Sequence, residues 1–385
     1  MSRPTAVIVG AGVAGLSTAW WLDQAGWDSV IVEKADSLRD NGYMIGLSGL
    51  CMGTLERMGL RERLSAVAYE FNQNAIRDNN GRELLRLAYS DLMRDIPFIN
   101  IRRSELVRVL ADALPATAVL RFGQTLDEVT DPGEKVKVKL SGGESIEADL
   151  LVGADGFRSV VRPHVAKEDC LEPLGYRMAV YDIQSHVKLE PDCVSYTSPG
   201  HLDLFCSLPG ERIFALNVWR DDNPDPDTRE DRFTLLKQVC KGSHSQVQDV
   251  LKHAEEQGST PIIDSLTLVN PPKWSHGRIV LTGDAAFCLT LLSGQGAGMT
   301  LVASEVLGKA LKTTADVPRA LSEYETNMRP AITRLQARVR RLAAMYIPKG
   351  TGAFYSRNLI LRLVPYSLLV HYHRKAIENE ISITQ

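Results

Sequence analysis

Three glycines near the N-terminus, Gly10, Gly12 and Gly15, follow a short apolar stretch with the spacing G-x-G-x-x-G. At this spacing the first glycine permits a tight turn, the second lets a phosphate approach the N–H groups of a helix N-terminus, and the third lets that helix pack on the strand. Glu33 ends the next apolar stretch roughly 20 residues further on, where a carboxylate accepts hydrogen bonds from a ribose. The pattern predicts a dinucleotide site that involves Gly10, Gly12, Ala14, Gly15, Glu33 and Lys34.

A second glycine-bearing stretch, GRIVLTGDAAFCLTLLSGQGAG at residues 277–298, has the same order of strand, turn, loop and helix. Its strand, Arg278 to Thr282, delivers Asp284 to the carboxyl end of the strand, where open α/β sheets bind ligands. By itself Asp284 is equally consistent with a helix N-cap. The residues of this stretch alone leave both interpretations open.

Two further segments carry charged residues at a turn and at a helix start. The segment EADLLVGADGFRSVVRP is an apolar strand followed by a turn with Asp155, Arg158 and Arg162. The segment NIRRSELVRVLADAL predicts a helix that begins near Arg102 and Arg103. Taken singly, each segment is also consistent with an ordinary exposed arginine on a regular element. Together with the glycine loops, these alternating strands and helices predict an α/β fold.

The order of these motifs along the chain is more specific than any one of them. A dinucleotide loop at the N-terminus, GADG in the middle and GDAA followed by SGQGAG resemble the fingerprints of the class A flavoprotein monooxygenases. These are single-component FAD hydroxylases, typified by para-hydroxybenzoate hydroxylase. The resemblance covers nearly the whole chain, and it implies that both ends of the chain bind one FAD.

The resemblance also implies an architecture. A Rossmann-like FAD-binding domain of the GR2 type would be interleaved with an antiparallel β-sheet substrate domain and followed by C-terminal helices. We expect the FAD-binding domain in residues 1–172 and 273–328, with part of 70–100 contributing to the substrate lobe, the substrate domain in 173–272, and the helical segment in 329–385.

The family likeness assigns roles to individual residues here. Asp284, after Gly283, would contact the ribityl-phosphate part of FAD, and so would Arg103 in preference to Arg102. Asp155 would lie near the pyrophosphate, and Arg158 is tied in some members to the use of NAD(P)H. Reduced flavin carries negative charge at N1 and the C2 carbonyl, which a helix N-terminus stabilises. The backbone groups that would face it belong to Gly294, Gln295, Gly296 and Ala297.

One position departs from the family pattern. Members usually carry a proline between the Gly-Asp turn and the glycine loop, beside the reactive edge of the flavin, whereas this chain has Thr290 and Leu291 there. Leucine keeps its N–H group and does not fix φ as proline does. We therefore expect a differently shaped loop, with an effect on the coupling of NAD(P)H oxidation to hydroxylation.

The middle of the chain changes to short strands with alternating aromatic residues. The family places its substrate sheet here, and the candidate substrate contacts are Tyr181, His201, Phe205, Trp219 and Leu291. His186 and His201 could deprotonate a phenol, although a single histidine in a strand is more often structural. No other catalytic constellation is present, which agrees with chemistry carried by the cofactor.

Composition excludes several other classes. The net charge of -3 and the lack of any nucleic-acid motif exclude a polynucleotide partner. The six cysteines have irregular spacings that predict neither a metal site nor a disulfide framework. The N-terminus has no secretory signal pattern, and the last apolar tract is too short to span a bilayer, so we expect a cytoplasmic protein. The sequence favours neither a monomer nor a homodimer.

The C-terminal segment is basic. From Arg329 onward it holds ten Lys or Arg residues against Glu378 and Glu380. Leu335, Val339 and Leu342 recur at helical spacing, which predicts a long helix packed on the body with a basic, solvated side. Two alternatives are a lid over the substrate cavity and a peripheral contact with a membrane. Such an extension, together with LSGQG, is similar to the tetracycline-inactivating branch of the family.

Three functions follow in order of preference. The first is an FAD-dependent monooxygenase that consumes NADPH or NADH and O2 and hydroxylates a phenol, quinol, polyketide or tetracycline-like substrate through a C4a-hydroperoxyflavin. The second is a related flavoprotein reductase or dehydrogenase that inserts no oxygen, which the missing proline favours. The third is a flavin-bearing protein that binds or senses a planar ligand.

Overall fold

The computed structural model describes residues 3–39, 42–185, 189–221 and 231–382. The strands, numbered in chain order, are β1 (Thr5–Val9), β2 (Asp28–Val32), β3 (Met44–Ser48), β4 (Gln73–Asp78), β5 (Glu83–Ala88), β6 (Phe98–Arg102), β7 (Ala118–Arg121), β8 (Leu126–Thr130), β9 (Val136–Leu140), β10 (Ser145–Ala148), β11 (Leu150–Gly153), β12 (Leu171–Gln184), β13 (Cys193–Ser198), β14 (His201–Leu208), β15 (Arg212–Arg220), β16 (Ile262–Val269), β17 (Ser275–His276) and β18 (Ile279–Leu281). The helices are α1 (Val13–Gln24), α2 (Leu50–Arg57), α3 (Arg61–Ser65), α4 (Tyr89–Leu92), α5 (Arg103–Asp112), α6 (Arg232–Val239), α7 (Ser245–Glu256), α8 (Asp284–Phe287), α9 (Gly296–Thr313), α10 (Val317–Tyr346), α11 (Thr351–Leu363) and α12 (Tyr366–Ser382).

A parallel sheet with the strand order β17-β18-β11-β1-β2-β7 forms the first layer, and only β17 joins it antiparallel. Its central strands are continuous apolar runs, because helices α1 and α9 cover one face and the small sheet β8–β10 covers the other. Helix α1 lies between the sheet and α9 and is buried on nearly all sides. The hydroxyl of Ser17 in α1 is hydrogen-bonded to the hydroxyl of Ser304 in α9 over 2.7 Å. Strand β18 lies beside β11, so the chain returns to complete a sheet that its N-terminus began.

A seven-stranded sheet with the order β16-β12-β15-β14-β13-β4-β5 forms the second layer. All of its pairs are antiparallel except β13 with β4. Side chains alternate between its two faces, as the pleat requires. One face is covered by α6 and α7, and the other packs against residues of the first layer and of α10.

Helix α10 connects the two layers. Near its start the Tyr324 hydroxyl donates to the carbonyl oxygen of Leu281 over 3.3 Å, and near its end the Tyr176 hydroxyl of β12 donates to the carbonyl of Ile347 over 3.2 Å. Helices α11 and α12 follow. Among the described residues, no helix combines the length and hydropathy needed to cross a membrane. The predicted α/β fold, with a dinucleotide-type sheet, a second sheet and C-terminal helices, is confirmed.

Candidate functional site

The loop between β1 and α1 is tightly packed. Gly10 has a φ of +104°, and a Cβ atom on it would lie 2.5 Å from the carbonyl oxygen of Ala154. A Cβ atom on Gly15 would lie 1.8 Å from the carbonyl oxygen of Gly10. No side chain fits at either position, so the backbone itself requires both glycines.

The N-terminus of α1 lies beside an arginine. The first N–H group bonded inside the helix is that of Leu16, which donates to the Gly12 carbonyl over 3.1 Å, so the preceding N–H groups have no partner within the helix. A Cβ atom on Gly12 would lie 3.3 Å from Nη2 of Arg103. Within the described residues the Arg103 guanidinium makes no hydrogen bond or ion pair. Arg102 points elsewhere and forms a 2.6 Å ion pair with Asp182.

Glu33 closes the same loop from the end of β2. Its Oε2 accepts a hydrogen bond from the N–H of Ala11 over 2.9 Å, and its Oε1 accepts one from the N–H of Ala35 over 3.0 Å. Each carboxylate oxygen has a further lone pair for a ligand hydroxyl. Lys34, the next residue, is exposed. The loop and this acid therefore occupy one edge of the parallel sheet.

Gly283 allows the turn after β18 to pack against the glycine loop that begins α1. It has a φ of +59°, and a Cβ atom on it would lie 2.8 Å from the Cβ of Ala14 and 3.3 Å from Cγ2 of Thr300. Asp284 therefore begins α8 next to the N-terminus of α1. Desolvation raises the pKa of the Asp284 carboxyl, and the positive charge of Arg103 opposes that shift. The two stretches that the sequence singles out lie at one site, with Arg103 close to both.

The carboxylate of Asp155 is hydrogen-bonded within the turn that follows β11. Its carboxylate accepts hydrogen bonds from the Ser159 hydroxyl and from the N–H of Val160, both over 2.6 Å. Burial raises its pKa, and these hydrogen bonds oppose the shift. Its Cα lies 3.1 Å from where a Cβ atom on Gly10 would be. The residue is therefore next to the glycine loop, while its side chain stabilises the turn.

Arg162 connects this turn to the C-terminal motif, a role that sequence reasoning missed. The side chain is buried, and its guanidinium donates to the carbonyl oxygen of Phe157 over 2.7 Å and to that of Ala285 over 3.2 Å. Arg158, the residue that the family pattern singles out, is exposed and pairs with Asp264 at 3.0 Å. The signal in the sequence that could have indicated this role is the position of Arg162 directly after two apolar valines in SVVRP.

The loop from α8 to α9 is conformationally unusual. Thr290 has a φ of +56°, which is rare for a β-branched residue, and its Oγ1 is buried without a partner among the described residues. Leu291 packs beside Met178 and Val218 of the seven-stranded sheet. The two residues that replace the expected proline therefore lie where the two layers meet.

Helix α9 starts with free backbone donors. Gly294 is left-handed, with a φ of +65°, and the Gln295 side chain donates to the Ser48 hydroxyl over 3.3 Å. The first hydrogen bond inside the helix ends on the carbonyl oxygen of Gln295, so the N–H groups of Gly296 and Ala297 lie ahead of it. Thr300, in the second turn of α9, lies beside Gly283, so the start of α9, with its positive macrodipole end, is close to the turn that precedes Asp284.

Four of the five residues expected to contact substrate lie on the other face of the sheet. They pack beneath α6 and α7, away from Leu291, and they are Tyr181, His201, Phe205 and Trp219. Side chains along a strand alternate between the two faces, and both faces of this sheet are apolar, so the sequence pattern does not distinguish these four residues from those on the same face as Leu291. His186 lies outside the described residues.

His201 belongs to a buried polar network under the helices. Its Nε2 is 2.7 Å from Oδ1 of Asp203, and that carboxylate also accepts hydrogen bonds from Asn217 over 2.6 Å and Ser243 over 2.9 Å. The Cys240 sulfur lies 3.8 Å from the same imidazole nitrogen. These contacts pair the buried histidine and carboxylate with each other, so the network stabilises the helix-covered side of the sheet.

The opposite face, which we call the cleft face, is the one towards the glycine motifs. It carries Val180, Leu204 and Leu216, and Tyr43 packs on it. The carbonyl oxygen of Tyr43 accepts a hydrogen bond from the N–H of Arg103 over 3.0 Å. Burial raises the pKa of the Tyr43 phenol to about 12, with Arg103 opposing the shift. Sequence reasoning missed Tyr43 because a single aromatic residue in a loop belongs to no motif.

The residues present fit a dinucleotide. Close backbone packing excludes a Cβ atom at Gly10 and at Gly15, which fixes the turn and the position of α1. Gly12 leaves the N-terminus of α1 open to a diphosphate, and the Arg103 guanidinium lies beside it. Glu33 accepts a hydrogen bond from Ala11 in the β1–α1 loop, and Asp284 follows Gly283, which packs against Ala14.

Comparison with known proteins gives the same result. Residues 3–339 match the family described as FAD binding domain. A flavin-dependent monooxygenase of an unknown prokaryotic organism is 26% identical over 344 residues, covering 86% of this chain and 87% of that protein. The 3-amino-4-hydroxybenzoate 2-monooxygenase of Streptomyces cremeus is 28% identical over 356 residues, covering 89% and 88%.

The fold comparison agrees. The crystal structure of tetracycline destructase Tet(51) superposes with a TM-score of 0.83 at 21% identity, covering 100% of this chain and 99% of that one. This likeness concerns the fold, whereas the family match extends over the motifs that form the site. The chain belongs to the FAD binding domain family of the class A aromatic flavin monooxygenases, and it is an FAD-dependent monooxygenase.

Proposed function

We propose that this enzyme uses NADPH or NADH and O2 to hydroxylate a planar aromatic or polycyclic substrate on the cleft face. The observation that carries the proposal is the position of Tyr43. Its carbonyl oxygen accepts a hydrogen bond from the N–H of Arg103 at the dinucleotide site, and its side chain packs against the hydrophobic cluster of the second sheet that contains Val180 and Phe214. A ligand on the cleft face therefore lies next to the cofactor site.

The geometry supports an assignment of the residues that would hold FAD. The α1 N-terminus at Gly12, together with Arg103, would bind the pyrophosphate, and Glu33 would accept from the adenosine ribose. Asp284 would contact the ribityl chain. The amides at the start of α9 would face the electron-rich edge of the flavin ring. When bound, FAD would supply the redox chemistry of a monooxygenase, in which one atom of O2 enters the substrate and two electrons from the nicotinamide reduce the other atom to water.

The chain's own groups orient the substrate and exclude water. The apolar side chains of the cleft face would contact a flat ring, and Leu291 and Leu292 close the junction between the layers. Because the pKa of Tyr43 is about 12, its phenol stays protonated at neutral pH. It can therefore donate a hydrogen bond to a hydroxyl or carbonyl oxygen of the substrate, or to its enolate. The S. cremeus relative, which is named for an aminohydroxybenzoate, supports an aromatic substrate.

A panel of phenols, quinols and tetracyclines tests the substrate class. The rates of NADPH and NADH oxidation by the FAD-loaded protein are measured with and without each compound, and products are analysed by mass spectrometry. A compound that accelerates oxidation and gains one oxygen atom supports the proposal. Acceleration with only hydrogen peroxide, or with a product changed by two hydrogens, would favour the function without oxygen insertion.

Asp284→Ala tests the cofactor assignment separately. We expect it to lower the FAD content of the purified protein, because a carboxylate in the cofactor region is lost. Asp264→Ala, which removes an acid from the neighbouring strand β16, is the matched control and should retain FAD. Full FAD occupancy and activity in the Asp284 variant would show that this residue does not hold the cofactor.

A further inference from the structure

The solvent-facing side of α11 is apolar. Tyr355, Leu359 and Leu363 recur every four residues and are 68%, 57% and 71% exposed, and Ile360 beside them is 57% exposed. In α12, Leu368 and Tyr372 are four residues apart and are 58% and 67% exposed. An amphipathic helix of a globular protein turns such residues inward. We call this surface the C-terminal apolar face.

Helices α11 and α12 contact the rest of the protein through the side opposite the C-terminal apolar face, so this face points toward solvent. Phe354 and Asn358 of α11 are buried, and Arg357 donates to the Thr197 hydroxyl over 3.2 Å. In α12 the Tyr366 hydroxyl accepts from the N–H of Ala88 over 3.1 Å and donates to Asp91 over 3.1 Å. These contacts fix α11 and α12 on the edge of the second sheet. Turning the apolar residues inward would break them.

The charge along the segment that forms the face is predominantly positive. Residues 329–377 contain ten Lys or Arg and no Asp or Glu. Arg341, Lys349, Arg362 and Lys375 are exposed. Exposed aliphatic and tyrosine side chains bordered by cations are the composition of a helix that lies in the interface of a bilayer with anionic headgroups. A two-fold contact of this face with itself would instead bring like charges together.

We propose that the C-terminal apolar face docks on an anionic phospholipid surface. Leu359, Ile360 and Leu363 enter the boundary between headgroups and acyl chains, and the tyrosines lie at the level of the headgroups. Arg362 and Lys375 contact lipid phosphates. The enzyme lies on the bilayer without crossing it, and the second sheet, to which α11 and α12 are attached, is the layer nearest the lipid.

Vesicle flotation with the FAD-loaded full chain, in the absence of any substrate, tests the proposal independently of the reaction. Vesicles contain either phosphatidylcholine alone or phosphatidylcholine and phosphatidylglycerol in equal parts. We expect binding to the mixed vesicles that falls with added salt, and weaker binding to phosphatidylcholine alone. The affinity of the double variant Leu359→Gln/Leu363→Gln for the mixed vesicles should be lower than that of the wild type by a factor of about ten or greater.

Controls separate this effect from misfolding and from self-association. Val67→Gln/Val119→Gln replaces two exposed valines elsewhere, which are 39% and 50% exposed, and should bind vesicles like the wild type. FAD absorbance confirms that each variant is folded, and light scattering gives its oligomeric state. No flotation with the mixed vesicles, or equal flotation of the leucine variant, overturns the proposal. A dimer that the leucine substitutions dissociate, without vesicle binding, would assign the face to a second copy.

Discussion

The Arg162 guanidinium donates to the carbonyl oxygen of Ala285 although 123 positions separate the two residues in the chain. Its other amino group is bonded to the Phe157 carbonyl, so one buried cation joins the turn after β11 to α8. Arg162→Gln leaves at least one buried carbonyl without a donor. We expect the free energy of unfolding to fall by about 2–4 kcal/mol, with weaker FAD retention.

Urea unfolding at a fixed FAD concentration measures this loss. Arg158→Gln, four residues earlier, is the matched control. The Arg158 side chain is 57% exposed, so solvent screens its ion pair with Asp264, and we expect a loss of about 1 kcal/mol. Equal losses for the two variants would contradict the joining role of Arg162.

Gly283 and Gly294 share a positive φ but differ in their surroundings. A Cβ atom on Gly283 would lie 2.8 Å from the Cβ of Ala14, whereas nothing lies within 4 Å of one on Gly294. Gly283→Ala should therefore cost about 2–5 kcal/mol through backbone strain and overpacking, and Gly294→Ala about 1 kcal/mol through strain alone. Denaturant titration and the bound FAD per chain check both values. A Gly283 variant as stable as the Gly294 variant would refute the contact between the two motifs.

Neighbouring residues of β14 should have opposite effects on stability and on ligand response. Phe205 is fully buried beneath α6 and α7, so Phe205→Ala should cost about 3–5 kcal/mol. Leu204 lies on the cleft face, so Leu204→Ala should cost less but change the KM of the ligand that accelerates NADPH oxidation. Stability and steady-state kinetics are measured on both. The reverse pattern would place the substrate on the helix-covered face.

The stability of the protein should depend on Tyr43 at high pH. The pKa of this phenol is raised from 10.0 to about 12 in the folded chain, mainly by burial. Between these values the unfolded chain has lost the proton while the folded chain keeps it, so the free energy of unfolding falls as the pH rises from 10 to 12. The fall is about 2–3 kcal/mol for this group and is complete only above its folded pKa.

Tyr43→Phe should remove that part of the pH dependence. The difference in free energy of unfolding between wild type and variant is measured from pH 8 to the highest pH at which the protein stays folded, and near-ultraviolet absorbance follows phenolate formation. Parallel curves for the two proteins would show that Tyr43 titrates alike in both states.

The glycine positions could be predicted because the need for glycine arises from the conformation and packing of a single loop. The backbone of the β1–α1 loop excludes a side chain at Gly10 and Gly15, and G-x-G-x-x-G records that requirement directly. The rest of the fold was expected from the family resemblance, which the order of three motifs along the chain carries. Register also favoured Arg103 over Arg102, and the Arg103 guanidinium does lie next to Gly12.

The cleft face could not be predicted in the same way. Alternation along β14 separates Leu204 from Phe205, but it does not say which set faces the cofactor when both faces are apolar. The roles of Arg162 and Tyr43 depend on contacts with residues far away in the chain. Such contacts leave no periodic pattern, and each residue read singly is consistent with an ordinary surface or core position.

The strand order β18-β11-β1 has a consequence for synthesis on the ribosome. Strand β11 is complete at Gly153, but its outer neighbour β18 is not made until Leu281. At about 5–20 residues per second the interval is on the order of 10 s, during which an apolar strand edge has no partner within its own chain. The outer edge of β11 is therefore exposed on the nascent chain for that interval, and the two glycine motifs can meet around FAD only after translation has passed α9.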